Sequence, residues 1–408
     1  MISFEVGVIL PSAGTGERVG ASSPKQYIEI MGRPLLLYAL EEVLRPPWVR
    51  RVALVVDSPE KVQTVLDGSG IKGADRVSVV RGGCSRHRSI RSGLQALQKA
   101  EAGVRVVVVH DAVRPLVPAE LLERLVVLAE HHGAAGATRP LTSTVVRASP
   151  DAGGTLLLQA SLDRDSHLAS ETPQAFRTEV LATAYNKSTE DELDRGTECL
   201  ALVLRHAGVR PRLLEGPPDL WKVTHKRDVY AAAGCLRERS TRVCVVAAAD
   251  TEAARLLAEE LTPRVGELAR ITTGSLPEPR DSPPGTPPAT AAAAPAVTST
   301  YNTVVFFHVH EISQDGQLLD LATVLDVEKQ GVIVHVIEHP EGDGMRGVSA
   351  LELHRSGRHM ARHHEKLRKA VVVVHWLSAG EERGLARLVS ALVLSDDPRA
   401  FSGQTLFL

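Results

Sequence analysis

Three glycines, one arginine and one lysine crowd the stretch LPSAGTGERVGASSPKQY, residues 10–27, directly after a short apolar run. Glycine lets backbone N–H groups approach anionic oxygens closely, and Arg18 and Lys25 lie within one loop of those amides. Either cation alone reads as a solvated surface charge. The Pro24–Lys25 pair at the exit of a glycine nest favours a triphosphate as the ligand. Two commoner phosphate loops are excluded. Gly14 and Gly16 fit the dinucleotide fingerprint, but its third position is Val19, and no acid ends a second strand about 20 residues later. Nothing matches G-x-x-x-x-G-K-[ST]. Asp111 follows another apolar run, where an acid serves either as a helix N-cap or as a ligand at the carboxyl edge of a sheet. His354, His359, His363 and His364 cluster on a helical pattern; without a third ligand or H-E-x-x-H they read as a solvated basic face rather than a zinc site.

Further stretches follow in order: RGGCSRHRSI (81–90), VVHDAVRP (108–115), LDRDSHLASETPQAF (162–176), GTECLAL (196–202) and LLEGPPDLWKVT (213–224). Together with the glycine loop they resemble the 2-C-methylerythritol 4-phosphate cytidylyltransferase family. The reaction this resemblance implies joins CTP to a polyol phosphate and releases pyrophosphate. A phosphate oxygen is already a competent nucleophile near neutral pH. Such an enzyme therefore has to align it with the α-phosphorus and neutralise the charge that builds there.

By the resemblance Arg18, Lys25 and Lys222 are catalytic. Pro11, Ser12, Ala13, Gly14, Gly16, Gly83, Arg86, Ser89, Asp111 and Ala112 hold the nucleotide. Asp111, Arg114, Thr144, Arg164 and Thr172 hold the polyol phosphate. Outside the motif, Lys222 would be an ordinary surface lysine after a strand. Magnesium is expected as the counter-ion of the triphosphate, bound mainly through phosphate oxygens and water, with no protein ligand named by a carboxylate pair. The family's protruding arm implies a homodimer with shared sites. Two departures bear on the pocket. Cys84 stands where the family often has an acid, and Pro140-Leu141-Thr142-Ser143-Thr144 lacks the acid of P-V-x-D-T. The RHRS and DLWKVT stretches and a fused second domain point within the family to D-ribitol 5-phosphate over methylerythritol 4-phosphate. The product would be CDP-ribitol, for a ribitol-phosphate glycan of the protein O-mannosylation type. Two other readings are a nicotinamide reductase, opposed by Val19, and a non-catalytic nucleotide-binding protein. The latter would fit better if Arg18, Lys25 or Lys222 were replaced.

The elements that must position these residues are legible as alternating runs. Apolar stretches at Val6–Leu10, Val52–Val56, Val77–Val80 and Val104–Val109 alternate with helical patterns at Pro34–Leu44, Ile90–Leu97 and Ala119–His131. That alternation predicts a parallel sheet covered on both faces. A polar–apolar alternation from Thr138 and a turn signal at Asp151–Gly154 predict an arm, about residues 138–170. Helices near Arg177–Tyr185, Thr197–His206 and Lys226–Arg237 and a strand at Pro211–Leu214 complete a first domain over 1–238. Its class is α/β, a Rossmann-like nucleotidyltransferase domain. A second, smaller α/β domain (239–408) starts at Val243–Ala247, where dinucleotide glycines are missing, and continues through Val304–His308, Val332–Ile337 and Val371–Trp376. Its segment 273–299 is Pro, Ala, Thr and Gly with little apolar bulk and reads as a disordered insertion; the terminal GQTLFL reads as a docking segment.

Length, 408 residues, supports two domains. A formal charge of −2 gives no general attraction to nucleic acid, and no run of about 18 apolar residues suggests a membrane span. MISFEVGVIL lacks a basic flank and reads as a first strand, not a signal peptide. Cys84, Cys199, Cys235 and Cys244 show no C-x-x-C spacing and suit a reduced, cytosolic protein.

Overall fold

The computed structural model describes residues 2–14, 24–100, 103–247, 249–272, 301–309, 325–326, 331–339, 354–355, 358–359, 362, 369–377, 380–395 and 397–408. The 273–299 segment and His363 and His364 lie outside them, as do Gly16 and Arg18. The chain divides into two compact units, Met1–Ala233 and Gly234–Leu408.

In chain order the first unit runs β1 (Val6–Pro11), a small hairpin β2 (Glu29–Ile30) and β3 (Arg33–Pro34), α1 (Leu35–Leu44), β4 (Val49–Val56), α2 (Pro59–Asp67) and β5 (Val77–Arg81). It continues with α3 (Arg86–Ala100), β6 (Val106–Val109), α4 (Ala119–His132), β7 (Ala134–Pro140), β8 (Val146–Pro150), β9 (Leu156–Ser161) and β10 (Leu168–Arg177). Helices α5 (Thr178–Lys187), α6 (Glu190–Arg195) and α7 (Cys199–Leu202) and strand β11 (Arg212–Glu215) follow, and α8 (Lys226–Ser240) spans the boundary between the units. Among the described residues the main sheet has seven strands in the order β11-β7-β10-β6-β1-β4-β5.

Continuous apolar runs arise because both faces of this sheet are covered. Val106 and Val108 point into one core with Leu40, Leu122 and Leu125, while Val107 and Val109 point into the other with Ile90, Phe176 and Leu181. Each valine, fully buried, contributes roughly 1.5–3 kcal/mol by leaving water. Strands β5, β4, β1 and β6 run parallel, and the order reverses at β1.

The four apolar runs read as a parallel sheet, now β1, β4, β5 and β6, are indeed parallel; beyond them the sheet is mixed, since β10 lies between β6 and β7 and runs antiparallel to both. Its sequence, LASETPQAFR, carries a proline and five polar side chains, so no apolar run announces it. It is held by pairing Gln174–Arg177 to Val106–Val109 and by burying residues 171–176. The arm is narrower than expected. Thr138 belongs to the main sheet, paired with Ser170, and the separate hairpin is β8 with β9. Its turn falls at the expected residues: the Asp151 carboxylate accepts from the N–H groups of Gly153 and Thr155, and Gly154 takes φ +84°. Helix α6 was not anticipated, although Thr189 and Glu192 form the capping box that marks its start.

The second unit holds β12 (Arg242–Ala247), α9 (Glu252–Leu261), β13 (Glu267–Thr272), β14 (Thr303–Val309), β15 (Gly331–Glu338), β16 (Lys369–Trp376), α10 (Glu382–Val393) and β17 (Thr405–Phe407). Its described strands are all parallel, in the order β13-β12-β14-β15-β16-β17. The terminal apolar segment docks on its own sheet, with Thr405–Phe407 beside Val373–His375.

Candidate active site

The carboxyl ends of β1, β5 and β6 open on one cleft of about 620 Å³ in the first unit. Loops after these strands supply its walls, as expected where strand order reverses in an open α/β sheet. After β1 the chain turns at Pro11–Gly14, tied back by the Ser12 N–H to the Val55 carbonyl at 2.6 Å. Gln26 fixes the other side of that turn, donating to the carbonyls of Ser12 (2.7 Å) and Gly14 (2.9 Å). After β5 come Gly82 and Gly83, where a side chain has no room. A Cβ on Gly82 would stand 2.5 Å from the Ala13 Cβ, and one on Gly83 2.5 Å from the Arg88 Cβ. The two loops thus meet through glycine. Ser89, in the first turn of α3, receives the Gly83 N–H at 3.2 Å and donates to the Ser85 carbonyl at 2.9 Å.

Charge is concentrated at the centre. Asp111, just past β6, is 3 % exposed and faces three cations: Arg86 at 2.5 Å, Arg114 at 3.1 Å and Lys222 at 3.1 Å. Burial pushes its pKa up, but Arg86, Lys222 and Arg114 outweigh that and hold it well below the usual carboxylate range. Burial lowers the Arg86 pKa and the Asp111 carboxylate raises it; the net shift is upward, so Arg86 stays charged. Neighbouring His110 and His87 are pushed down to about 4, mainly by burial, and are neutral at pH 7. Lys25 also lines the cleft and donates to the Val223 carbonyl at 3.3 Å. Its loop is thereby tied to the segment carrying Lys222. Among the described lining residues the balance is three cations, Lys25, Arg86 and Lys222, to one carboxylate, which suits a polyanion.

The structure brings together most of the residues singled out by sequence. Pro11, Ser12, Ala13, Gly14, Lys25, Gly83, Arg86, Ser89, Asp111, Ala112 and Lys222 all line this cleft. Others stand elsewhere. Arg114 does not line it; its guanidinium is buried, gripping Asp111, Glu171 and the Leu220 carbonyl (2.6 Å). Thr172 is also buried, its hydroxyl accepting the Asp111 N–H at 3.1 Å. Both position Asp111 within this chain. Thr144 and Arg164 are exposed at the arm, where Arg164 donates to the Thr142 carbonyl at 3.3 Å.

Sequence reasoning passed over Gln26, Ser85 and Val113, which complete the lining. Gln26 sat inside the quoted SPKQY stretch, so its signal was adjacency to Lys25. Cys84 also lines the cleft, as an exposed thiol 4.0 Å from the Asp194 carboxylate. The cleft does not fit a protein-held magnesium. Asp111 is the single carboxylate among its described lining residues, and both oxygens already face cations.

A doubly wound sheet with a polyanion cleft at its reversal point defines a nucleotidyltransferase-type α/β domain. More narrowly, the chain belongs to the IspD family, 2-C-methyl-D-erythritol 4-phosphate cytidylyltransferase, whose model matches residues 6–238. It is 44 % identical over 255 residues to the D-ribitol-5-phosphate cytidylyltransferase of Xenopus tropicalis, covering 60 % of each chain. The Homo sapiens protein of the same name is 44 % identical over 255 residues, 60 % of this chain and 54 % of that one. The 2-C-methyl-D-erythritol 4-phosphate cytidylyltransferase of Acidobacterium capsulatum is 34 % identical over 246 residues, 59 % of this chain and 100 % of that one. The matched region thus spans no more than three fifths of these two ribitol-phosphate relatives.

Proposed function

We propose that the protein transfers a cytidylyl group from CTP to D-ribitol 5-phosphate, giving CDP-ribitol and pyrophosphate. The observation that carries this reading is the convergence of Lys25, Arg86, Lys222 and Asp111 on one cleft walled by glycine-bearing loops. An oxygen of the polyol phosphate attacks the α-phosphorus of CTP in line. The new P–O bond forms as the bond to the β-phosphate bridging oxygen breaks, and pyrophosphate leaves with that electron pair. Lys25 and Lys222 neutralise charge growing on the α-phosphate, with Arg18 assigned beside them from the sequence. Carbonyls and N–H groups of Pro11–Gly14 face the base, carbonyls accepting from the cytosine amine that distinguishes it from uracil. Asp111 accepts from polyol hydroxyls, held in place by Arg114 and Thr172. Magnesium accompanies the triphosphate as its counter-ion, and no protein group here is assigned to it.

Thr144 and Arg164 complete the polyol site from a second copy, making the protein a homodimer. Exposed Leu156 (71 %), Leu158 (71 %) and Val146 (52 %) on the arm give apolar surface for that contact. Sedimentation at micromolar concentration reads the stoichiometry, and a monomer would remove this part. Four free cysteines fit a cytosolic setting, and no described helix is long and apolar enough to cross a membrane.

Greater identity to the ribitol-phosphate relatives than to the Acidobacterium enzyme favours ribitol over methylerythritol. The test incubates the full chain with CTP, magnesium and each polyol phosphate and follows pyrophosphate release. A larger kcat/KM is expected for D-ribitol 5-phosphate; one missing methyl branch discriminates by only about 1–3 kcal/mol, so slow turnover of the other is expected too. Preference for methylerythritol 4-phosphate would overturn the substrate while sparing the chemistry.

A further inference from the structure

Behind the cleft a second carboxylate organises two arginines that never reach the cleft lining. Glu171, in β10, is nearly as buried as Asp111, with 8 % of its side chain exposed against 5 %. One of its oxygens takes Arg139 of β7 through two nitrogens, at 3.0 and 2.6 Å, and the other takes Arg114. Each arginine then spends a further N–H on one short turn. Arg139 donates to the Pro218 carbonyl at 3.2 Å and Arg114 to the Leu220 carbonyl at 2.6 Å. That turn, Pro218–Leu220, leads directly into Lys222. The segment is pinned again one residue beyond Lys222, where the Val223 N–H meets the Val113 carbonyl at 3.0 Å. Arg114 also contacts Asp111. The charges therefore form a continuous chain, Arg139–Glu171–Arg114–Asp111–Lys222, that begins at the foot of the arm and ends at a cleft cation.

We propose that Glu171 is a positioning residue: it holds Arg139 and Arg114 as a two-armed clamp that sets the Lys222 segment for the α-phosphate and Asp111 for the incoming polyol phosphate. A carboxylate fixes the plane of a guanidinium carried on a long side chain, and one carboxylate can fix two. Glu171 does this at a distance from the nucleotide walls, which are set separately by Gln26, the paired glycines and Ser89. Its loss should therefore slow transfer, through Asp111 on the acceptor and Lys222 at the α-phosphorus, and change CTP binding little. This inference rests on the proposed cytidylyl transfer only for its kinetic readout.

The test compares the full-length parent with Glu171→Gln, which keeps the shape but can satisfy only one arginine, and Arg139→Gln, a partly exposed position less apt to disturb folding. Losing one charge-assisted hydrogen bond corresponds to about 10- to 100-fold. For Glu171→Gln a fall of that size is expected in kcat/KM for D-ribitol 5-phosphate, with the Kd for CTP within about twofold of the parent. Arg139→Gln should show the same split at the lower end of that range. Hydrogen exchange of the amides in 216–223, measured without substrate, should quicken by about tenfold in both variants while β1 and β6 keep their protection. Parent-like exchange in that segment together with an unchanged or evenly spread kinetic loss would overturn the clamp. If Glu171→Gln does not fold, Arg139→Gln decides by the same two readouts. If the parent itself releases no pyrophosphate, the proposed function fails and the exchange result still decides the clamp.

Discussion

The two units solve the same structural problem and furnish the same edge with opposite chemistry. Both are α/β sheets built largely of parallel valine-rich strands. In the first unit the carboxyl ends of β1, β5 and β6 gather Lys25, Arg86, Asp111 and Lys222, and the Arg86–Asp111 contact keeps both of its partners ionised. In the second, β14, β15 and β16 carry His308, His335 and His375, with His339 one residue past β15, joined as two ring-nitrogen pairs at 3.0 and 2.9 Å. Burial pushes His308 down to about 4; His375 is lowered equally, by burial and then by His339 beside it. The rings stack with Phe306 and Phe407 as though they were ordinary aromatics. The contrast teaches that burial alone does not decide whether a polar edge is a reactive one. His87 and His110 are neutralised by burial in the first unit too, whereas Asp111, equally buried, is kept ionised by three cations.

The comparison breaks most visibly at Asp111. Asp111→Asn leaves Arg86 and Arg114 facing a neutral amide inside the protein, so a loss of about 3–5 kcal/mol in stability is expected, read by denaturant titration. A loss under 1 kcal/mol would mean that the three contacts are replaced by water.

Lys25→Ala and Lys222→Ala sharpen the comparison next. Each removes a charge whose attraction grows as the α-phosphorus gains negative charge, so kcat should fall about 10²-fold, roughly 3 kcal/mol, by analogy with one oxyanion donor. CTP affinity should fall much less. Near-parent pyrophosphate release by either variant would remove that lysine from catalysis.

The smallest effect concerns the histidine edge. A buried histidine with a depressed folded-state pKa binds its proton more readily in the unfolded chain. Its stabilisation is therefore complete above pH 6.5 and is lost as pH falls from 6.5 towards about 4. His375→Phe, which keeps the stack with Phe407, should make the pH 7 to pH 5 drop in Tm shallower by about 2–4 °C. An unchanged slope would show that His375 is not among the groups that acid protonates.

Much of this molecule is legible in its sequence. The continuous apolar run of Val6–Leu10 and the unbroken Val106–Val109 declared two-faced strands, because a strand covered on both sides has no polar positions to alternate. Asp151 and Gly154 declared their turn through local chemistry alone. Lys25 and Lys222, 197 residues apart, were paired through motifs. What stayed hidden depends on distant partners. LASETPQAFR becomes a central strand since β6 and β7 supply its hydrogen bonds on either side, and no property of ten residues records what flanks them.

The inward turn of Arg114, taken by resemblance as a substrate contact, is decided by Glu171, 57 residues further along, and by a carbonyl at Leu220. The order of strands and loops along the chain, read with the family motifs, told which residue types reach the carboxyl edge of the first sheet. Only the tertiary structure decided which of those charges face the cleft and which face each other. An ion pair is set by distance in space, and a folded chain brings together residues that its sequence keeps far apart.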